Sequence, residues 1–448
     1  MSTGTAGGTS WSSLAEAGHG VVTPFALTLG QRTVRVRRIL RHLPGKRLVA
    51  DAEMTGKRVL LKLFFHRRHW QQEVDGYRRA AQAGMKTPPL LESFEQESGG
   101  VCTYYFLEAA SRLDERWRAE SAEAVLQPLL KALEAFYSAR LLQSDLHLGN
   151  FLFEGDALYV LDPASMVTFT GAEARLDNLA LLLAQFPLAD TARVAAAITA
   201  AFSEVSEEAL RLRAREQQQK RRKDFLKKIY RDCSAVSAWQ KALPYGQHLR
   251  IRCARAYADA SLRAWLENPA TQSANTGFLK RGNSTTVSRC VLGGRSVVVK
   301  QYRYKDVWRW LRRCWRRSRA SNSWYFSHLL QDAGITIPEP LALVERRWGP
   351  LVLESWFVSK YVEATSLLDA WHSREPEAWE RAAVENLFAC LRELSVSHGD
   401  MKATNLLVSG REIYLIDFDG MREYRDRASA TRALGKDRQR FLRNWPSG

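Results

Sequence analysis

Two stretches of the chain carry the same spacing of oxygen-bearing side chains. "LQSDLHLGNFLFEGDALYVLDPAS", Leu142 to Ser165, holds Asp145, Asn150 five residues on, and Asp162 twelve after that. "SHGDMKATNLLVSGREIYLIDFDG", Ser397 to Gly420, holds Asp400, Asn405 and Asp417 at the same two intervals, 255 residues later. A pattern that recurs at this separation in 448 residues restricts the fold to an internal duplication, in a chain long enough for two domains.

The segments before each copy keep a common order. Residues 30–64 read as a β-meander with a turn at Pro44–Gly45 and a last strand "RVLLKLFF". A helix stopping at Gly84 follows, then strands "TPPLLESF" and "CTYYFLEAA", then the helix "AEAVLQPLLKALEAFYSARL". In the second half the hairpin "TTVSRCVLGGRSVVVKQY", a helix stopping at Gly334, the strands "LALVERR" and "SWFVSKYVEA" and the helix "ERAAVENLFACLREL" take the same places. The expected division is a disordered leader over 1–25, one domain over 26–205, a basic helical linker over 206–235 and a second domain over 236–448. The expected fold class is α+β, in two tandem domains that each place a β-rich first lobe before a mostly helical second lobe.

These residue types suit phosphoryl transfer. The attacking hydroxyl needs a carboxylate to orient it and take its proton, Mg²⁺ needs hard oxygen ligands, and the phosphates need a cation. Asp145 and Asp400 are the candidate catalytic carboxylates. Asn150, Asp162, Asn405 and Asp417 are the candidate Mg²⁺ ligands, and "DFDG" stands where protein kinases have DFG. Lys62 and Lys300 each end an apolar strand followed by a helix and are the candidates for holding ATP phosphates. Glu73 lies eleven residues before Gly84 and is placed to pair with Lys62, whereas the same count back from Gly334 reaches Ser323. Lys402, two residues after Asp400, is a further cofactor-side candidate. The phosphate-covering turn is weakly marked, by "KRGNSTTV" at 280–287 and "RHLPGKR" at 41–47.

The net charge of +18 implies an anionic partner. A nucleic acid is disfavoured, because no nucleic-acid motif is present and the repeated site is built of carboxylates. "VWRWLRRCWRRSR", residues 307–319, interleaves Trp with Arg and suits a surface that docks anionic glycolipid at a bilayer interface. Residues 207–233 offer a second basic strip. No apolar run reaches the ~18 residues of a spanning helix. The N-terminal stretch lacks the basic start and apolar core of a signal peptide. Six cysteines without a CxxC suggest neither a metal site nor a disulfide framework and suit a reducing cytoplasm.

At these residues the sequence resembles the bacterial lipopolysaccharide core kinase family, whose members phosphorylate Kdo or heptose. The second copy is the closer, through "VVVKQYRYKDVWRWLRRCWRRSRASNSWYFSHLLQDAGITIPEPLALVE" and "HGDMKATNLLV…YLIDFDG". The first matches through "LLKLFFHRRHWQQEVDGYRRAAQAG" and "SDLHLGNFLF…LDPAS". The resemblance implies ATP and Mg²⁺ as cofactors and a sugar hydroxyl of the lipopolysaccharide inner core as acceptor. It also implies the core and lipid A glycolipid and the anionic inner-membrane surface as partners, on the cytoplasmic side. Departures are Gln143 where a His usually stands, Pro-Ala after Asp162, and Ser323 in place of the helix Glu. A Ser/Thr protein kinase and a pseudokinase scaffold in envelope assembly are the alternatives.

Overall fold

The computed structural model describes residues 10–18, 21–119, 122–269, 277–282, 284–304, 306, 308, 310, 311 and 314–445. It is a mixed helix-and-sheet structure in two units, one of residues 1–186 and 191–218, the other of 187–190 and 219–448.

The first unit opens with helix α1 (Trp11–Glu16), whose N-cap Ser10 makes a reciprocal capping box with Ser13. Trp11 and Leu14 are 4% and 1% exposed and join the core of the sheet. The expected disordered leader therefore does not hold over 11–16: two apolar side chains one turn apart are enough to anchor the segment. The sheet has six antiparallel strands: β1 (Phe25–Leu29), β2 (Arg32–Leu43), β3 (Arg47–Met54), β4 (Lys57–Phe64), β5 (Leu90–Gln96) and β6 (Gly99–Tyr105), in the order β1-β2-β3-β4-β6-β5. In β2, Val34 and Val36 point inward while the arginines between and beside them face out. The register shifts on either side of Arg38–Ile39, as in β-bulges, so the alternation is not strict. Helix α2 (Arg67–Gln82) lies between β4 and β5 in sequence. A Cβ on its Gly76 would lie 1.8 Å from the carbonyl oxygen of Pro163, so only glycine allows this approach of helix to loop. Helices α3 (Ala122–Ser138) and α4 (Ala172–Leu183) flank the hairpin β7 (Phe151–Glu154) and β8 (Ala157–Val160).

Helix α5 (Glu207–Lys228) occupies most of the segment read as a linker. Its Leu210 and Ala214 pack in the first unit's core, and from Gln219 the chain belongs to the second unit, where Leu226 is in the core.

The second unit's sheet has seven strands: β9 (Val236–Ala242), β10 (Gln247–Ala254), β11 (Gly277–Arg281), β12 (Thr285–Leu292), β13 (Arg295–Tyr302), β14 (Pro340–Trp348) and β15 (Leu351–Lys360). Their order is β9-β10-β14-β15-β13-β12-β11. The hairpin β9–β10 was not anticipated; it extends the sheet beside β14. Helix α6 (Arg319–Asp332) is buried on nearly every side, with Trp324, Phe326, Leu329 and Leu330 in the core. Helix α7 (Ala378–Glu393), hairpin β16 (Leu406–Ser409) and β17 (Glu412–Leu415), and helix α8 (Arg427–Leu442) complete the unit. Among the described residues no helix is long and apolar enough to cross a membrane.

Candidate active site

In the second unit the candidate residues converge from three elements. Lys300 sits on strand β13, opposite Val287 on β12 and Phe357 on β15. Its Nζ lies 3.0 Å from Asp417 Oδ1. Asp417 adopts a left-handed backbone, φ 71° and ψ 62°, a costly conformation for a non-glycine residue that turns the chain after β17. Asn405 donates from Nδ2 to the backbone oxygen of Asp400 at 2.8 Å, while its own backbone oxygen accepts from Ile416 N at 3.0 Å. Its amide oxygen is left as an acceptor. The buried His398 ring places Nε2 3.0 Å from Ile416 O and so fastens the loop to the hairpin. Asp400 carries two cations, Lys402 Nζ at 3.1 Å and Arg440 Nη2 at 2.5 Å. Arg440 belongs to α8, and so does the buried Asp437, which accepts from the backbone N–H groups of His398 at 2.7 Å and Gly399 at 3.0 Å.

The first unit repeats the loop bonds. Asn150 Nδ2 donates to Asp145 O at 2.8 Å, and Leu161 N donates to Asn150 O at 2.7 Å. Asp162 is again left-handed, φ 57° and ψ 58°. Gln143 stands where the second unit has His398. Its Nε2 donates to Leu161 O at 2.6 Å, the same acceptor position that His398 meets. The departure from His is thus met by a side chain that reaches the same carbonyl.

The lysines differ. Lys62 Nζ lies 2.5 Å from Glu73 Oε1, and Tyr104 Oη donates to the same oxygen at 2.7 Å. Glu73 is fully buried and Lys62 is 9% exposed. Asp162 is held instead by Arg47, at 3.1 Å. In the second unit the place of Glu73 is taken by Ser323, 3.3 Å from Tyr302 Oη. The tie between helix and loop runs through Arg319 at the start of α6, whose Nε donates to Asp419 Oδ2 at 2.7 Å. Arg319 Nη1 also donates to Thr285 Oγ1 at 2.9 Å, in the turn proposed to cover phosphates. Asn322 Nδ2 reaches the backbone oxygens of Asp419 at 3.0 Å and Met421 at 3.1 Å. Asn283 in that turn lies outside the described residues, as do the side chains of Lys280 and Arg281.

Burial pushes the Asp417 carboxyl up, but the charge and hydrogen bond of Lys300, with His398 and Arg319, outweigh it and leave its pKa below the ordinary carboxylate value. Burial and the neighbouring charge of Asp417 raise that of Asp419, against Arg319. In the first unit burial lowers the pKa of His147, two residues after Asp145, and so favours its neutral form. Among the described residues no group of three or more His, Cys, Asp or Glu forms a metal cage. In the second unit one Asn and one Asp oxygen, from Asn405 and Asp417, fit a magnesium ion that takes its remaining ligands from phosphate and water.

Residues 271–445 match the lipopolysaccharide kinase (Kdo/WaaP) family. The 3-deoxy-D-manno-octulosonic acid kinase of Vibrio vulnificus (strain YJ016) is 27% identical over 110 residues, 24% of this chain and 46% of the relative. That of Photobacterium profundum is 28% identical over 106 residues, 23% of this chain and 45% of the relative. The chain thus spans under half the length of these relatives. A solved structure, "WaaP in complex with acyl carrier protein", overlays 41% of the chain and 77% of that protein with a TM-score of 0.32 and 19% identity, too low to bear on the fold.

In the second unit a cavity of about 1310 Å³ opens beside Asp400. Lys402, Arg422, Arg432, Lys436, Arg440 and Arg443 line it. Gly420 and Arg422 also line a recess of about 500 Å³ that holds Arg303, Arg316, Arg317 and Arg319. In the Trp–Arg stretch Trp308 and Trp315 are 77% and 71% exposed, while Trp310 donates to Val352 O at 2.9 Å. Val307, Arg309, Arg312 and Arg313 lie outside the described residues. Sequence reasoning did not single out Arg440 and Asp437, which reach Asp400 and its loop from a helix nearly forty residues on with no local spacing to mark them. It also passed over Arg47, Tyr104 and Arg319. The second Asp of "DFDG", Asp419, was visible but had no role until Arg319 was placed against it.

Proposed function

We propose that the second unit transfers the γ-phosphoryl group of ATP to a sugar hydroxyl, heptose or Kdo, of the lipopolysaccharide inner core. The convergence of Lys300, Asp400, Asn405 and Asp417 within the segment that matches the kinase family carries this reading. Bound ATP and Mg²⁺ supply the phosphoryl group and the charge that activates it. Asp400 orients the hydroxyl and accepts its proton as the new P–O bond forms and the bond to the departing ADP breaks. Lys402 and Arg440 hold that carboxylate in position through their ion pairs. Lys300 would hold phosphate oxygens, and Asn405 and Asp417 would supply oxygens to the metal. The basic cavity beside Asp400 suits an acceptor that bears carboxylates or phosphates. The chain is proposed to consist of two tandem kinase-like bilobal domains and to work at the anionic cytoplasmic face of the inner membrane.

The test is the mass of the core oligosaccharide from cells carrying wild-type protein, Asp400→Asn or Asp145→Asn. Asp400→Asn is expected to remove one phosphate, ~80 mass units. An unchanged core in that variant would overturn the reading. A second reading, a Ser/Thr protein kinase, is favoured by Lys402, which sits two residues after Asp400 and 3.1 Å from its carboxylate. Phosphate label in protein rather than glycolipid would support it.

A further inference from the structure

The family match begins at residue 271, so it says nothing of the first unit. That unit has its own cavity, of about 680 Å³, within the ~300–1,000 Å³ of small-molecule sites. Lys62, Asn150 and Asp162 all line it. Leu60 from β4 and Leu152 from β7 give it an apolar part, together with Phe106. Four arginines, Arg38, Arg41, Arg47 and Arg112, line it as well, against the carboxylates of Asp162 and Glu115. Arg112 is held by Asp114, with Nε 2.8 Å from Oδ1. The cavity is therefore apolar at one part and cationic at another, the division a nucleotide requires.

The cation on the repeated Asp differs between the units: in the second it is the lysine itself, Lys300 Nζ 3.0 Å from Asp417 Oδ1, whereas in the first an arginine takes that place and the lysine is engaged elsewhere. Asp162 occupies the position expected to hold a divalent cation, and a guanidinium is already there: Arg47 Nη1 lies 3.1 Å from Asp162 Oδ1, with 18% and 15% of the two side chains exposed. Arg47 is fixed at the start of β3, opposite Phe64. The lysine is also set, by its buried pair with Glu73. Asp145, by contrast, is exposed, and no cation pairs with its carboxylate among the described residues, whereas Asp400 has two.

We propose that the first unit binds a nucleoside di- or triphosphate without a divalent cation, with Arg47 standing where the metal would and Lys62 taking a phosphate. This goes beyond the phosphoryl transfer assigned to the second unit. It makes the first unit a nucleotide-binding element distinct from the site of transfer. The role is one of binding, and no bond is made or broken in it.

The experiment is a titration of the full chain with a fluorescent ATP analogue, in excess EDTA and then in Mg²⁺. In EDTA the wild type is expected to bind one analogue per chain, and Lys300→Met is expected to leave that binding unchanged. Arg47→Ala is expected to weaken it by tenfold or more in EDTA and to regain affinity with Mg²⁺, because Asp162 is then free for the ion. A variant that had merely lost its fold would not recover in Mg²⁺. Absence of binding in EDTA, binding that follows Lys300 rather than Arg47, or an Arg47→Ala variant indistinguishable from wild type would each overturn the proposal. The readout is binding, so it stands or falls separately from the core-mass test on Asp400.

Discussion

His398 and Gln143 do the same job with different chemistry. Each satisfies a carbonyl at the end of the hairpin, Ile416 O or Leu161 O, and so fixes the loop that bears the Asp. His398→Gln is expected to preserve that bond and most of the unit's stability, since glutamine already makes it in the first unit. His398→Ala leaves the carbonyl without its donor and is expected to cost roughly 1–3 kcal/mol in a denaturant titration. Gly399 next to it has φ +79°, and a Cβ there would lie 2.9 Å from Gly420 O. The residue types and spacings of the site were legible because Asp-x₄-Asn and the twelve-residue step are local. The cations that pair with Asp400 and Asp162 were not, because Arg440 and Arg47 reach them through the tertiary fold.

At the level of elements, helix α2 and helix α6 reach their loops by different means. Helix α2 presses Gly76 against Pro163 and sends Glu73 to Lys62. Gly76→Ala is expected to destabilise the first unit by about 2 kcal/mol or more, visible as a lowered midpoint, because the nearest obstacle is backbone and cannot rotate away. Helix α6 has no glutamate and uses Arg319 and Asn322 on the second loop. Arg319→Met is expected to raise KM for ATP roughly tenfold with a smaller change in kcat, as one charge-assisted tie is lost. Arg319→Lys is expected to restore part of it. Most strands and helices around the site were legible from periodicity and from glycine stops at Gly84 and Gly334. Hairpin β9–β10 was not, although its turn at Pro244–Gly246 and the alternation of Leu249, Ile251 and Cys253 with Arg250 and Arg252 are readable signals. Helix α1 was missed because a Gly- and Ser-rich context hid two buried residues.

For the molecule as a whole, acid should act on the second unit's core. Burial pushes His328 on α6 down to about 4, against the edge of Trp324. The unfolded chain takes up a proton near pH 6.5 and the folded one only near 4, so stability is full above about 6.5 and falls as pH drops toward 4. His328→Leu is expected to remove this part of the pH dependence. Wild type and variant compared by denaturant titration at pH 7 and 4.5 should differ in that dependence by on the order of 2–3 kcal/mol. The charge of +18 was plain in the sequence, but its concentration beside Asp400 was not, since Lys402, Arg422 and the α8 arginines meet only in three dimensions.

The clamp of Asp437 on the His398–Gly399 backbone has a consequence in time as well as in space. A chain emerging from the ribosome presents Asp400 before the residues that hold its loop, and domains take shape as units in the order of synthesis. Every motif residue of the second unit can therefore be exposed to the cell while the catalytic loop is still loose. The nascent protein is expected to lack the proposed transfer activity until α8 has emerged and docked on that loop.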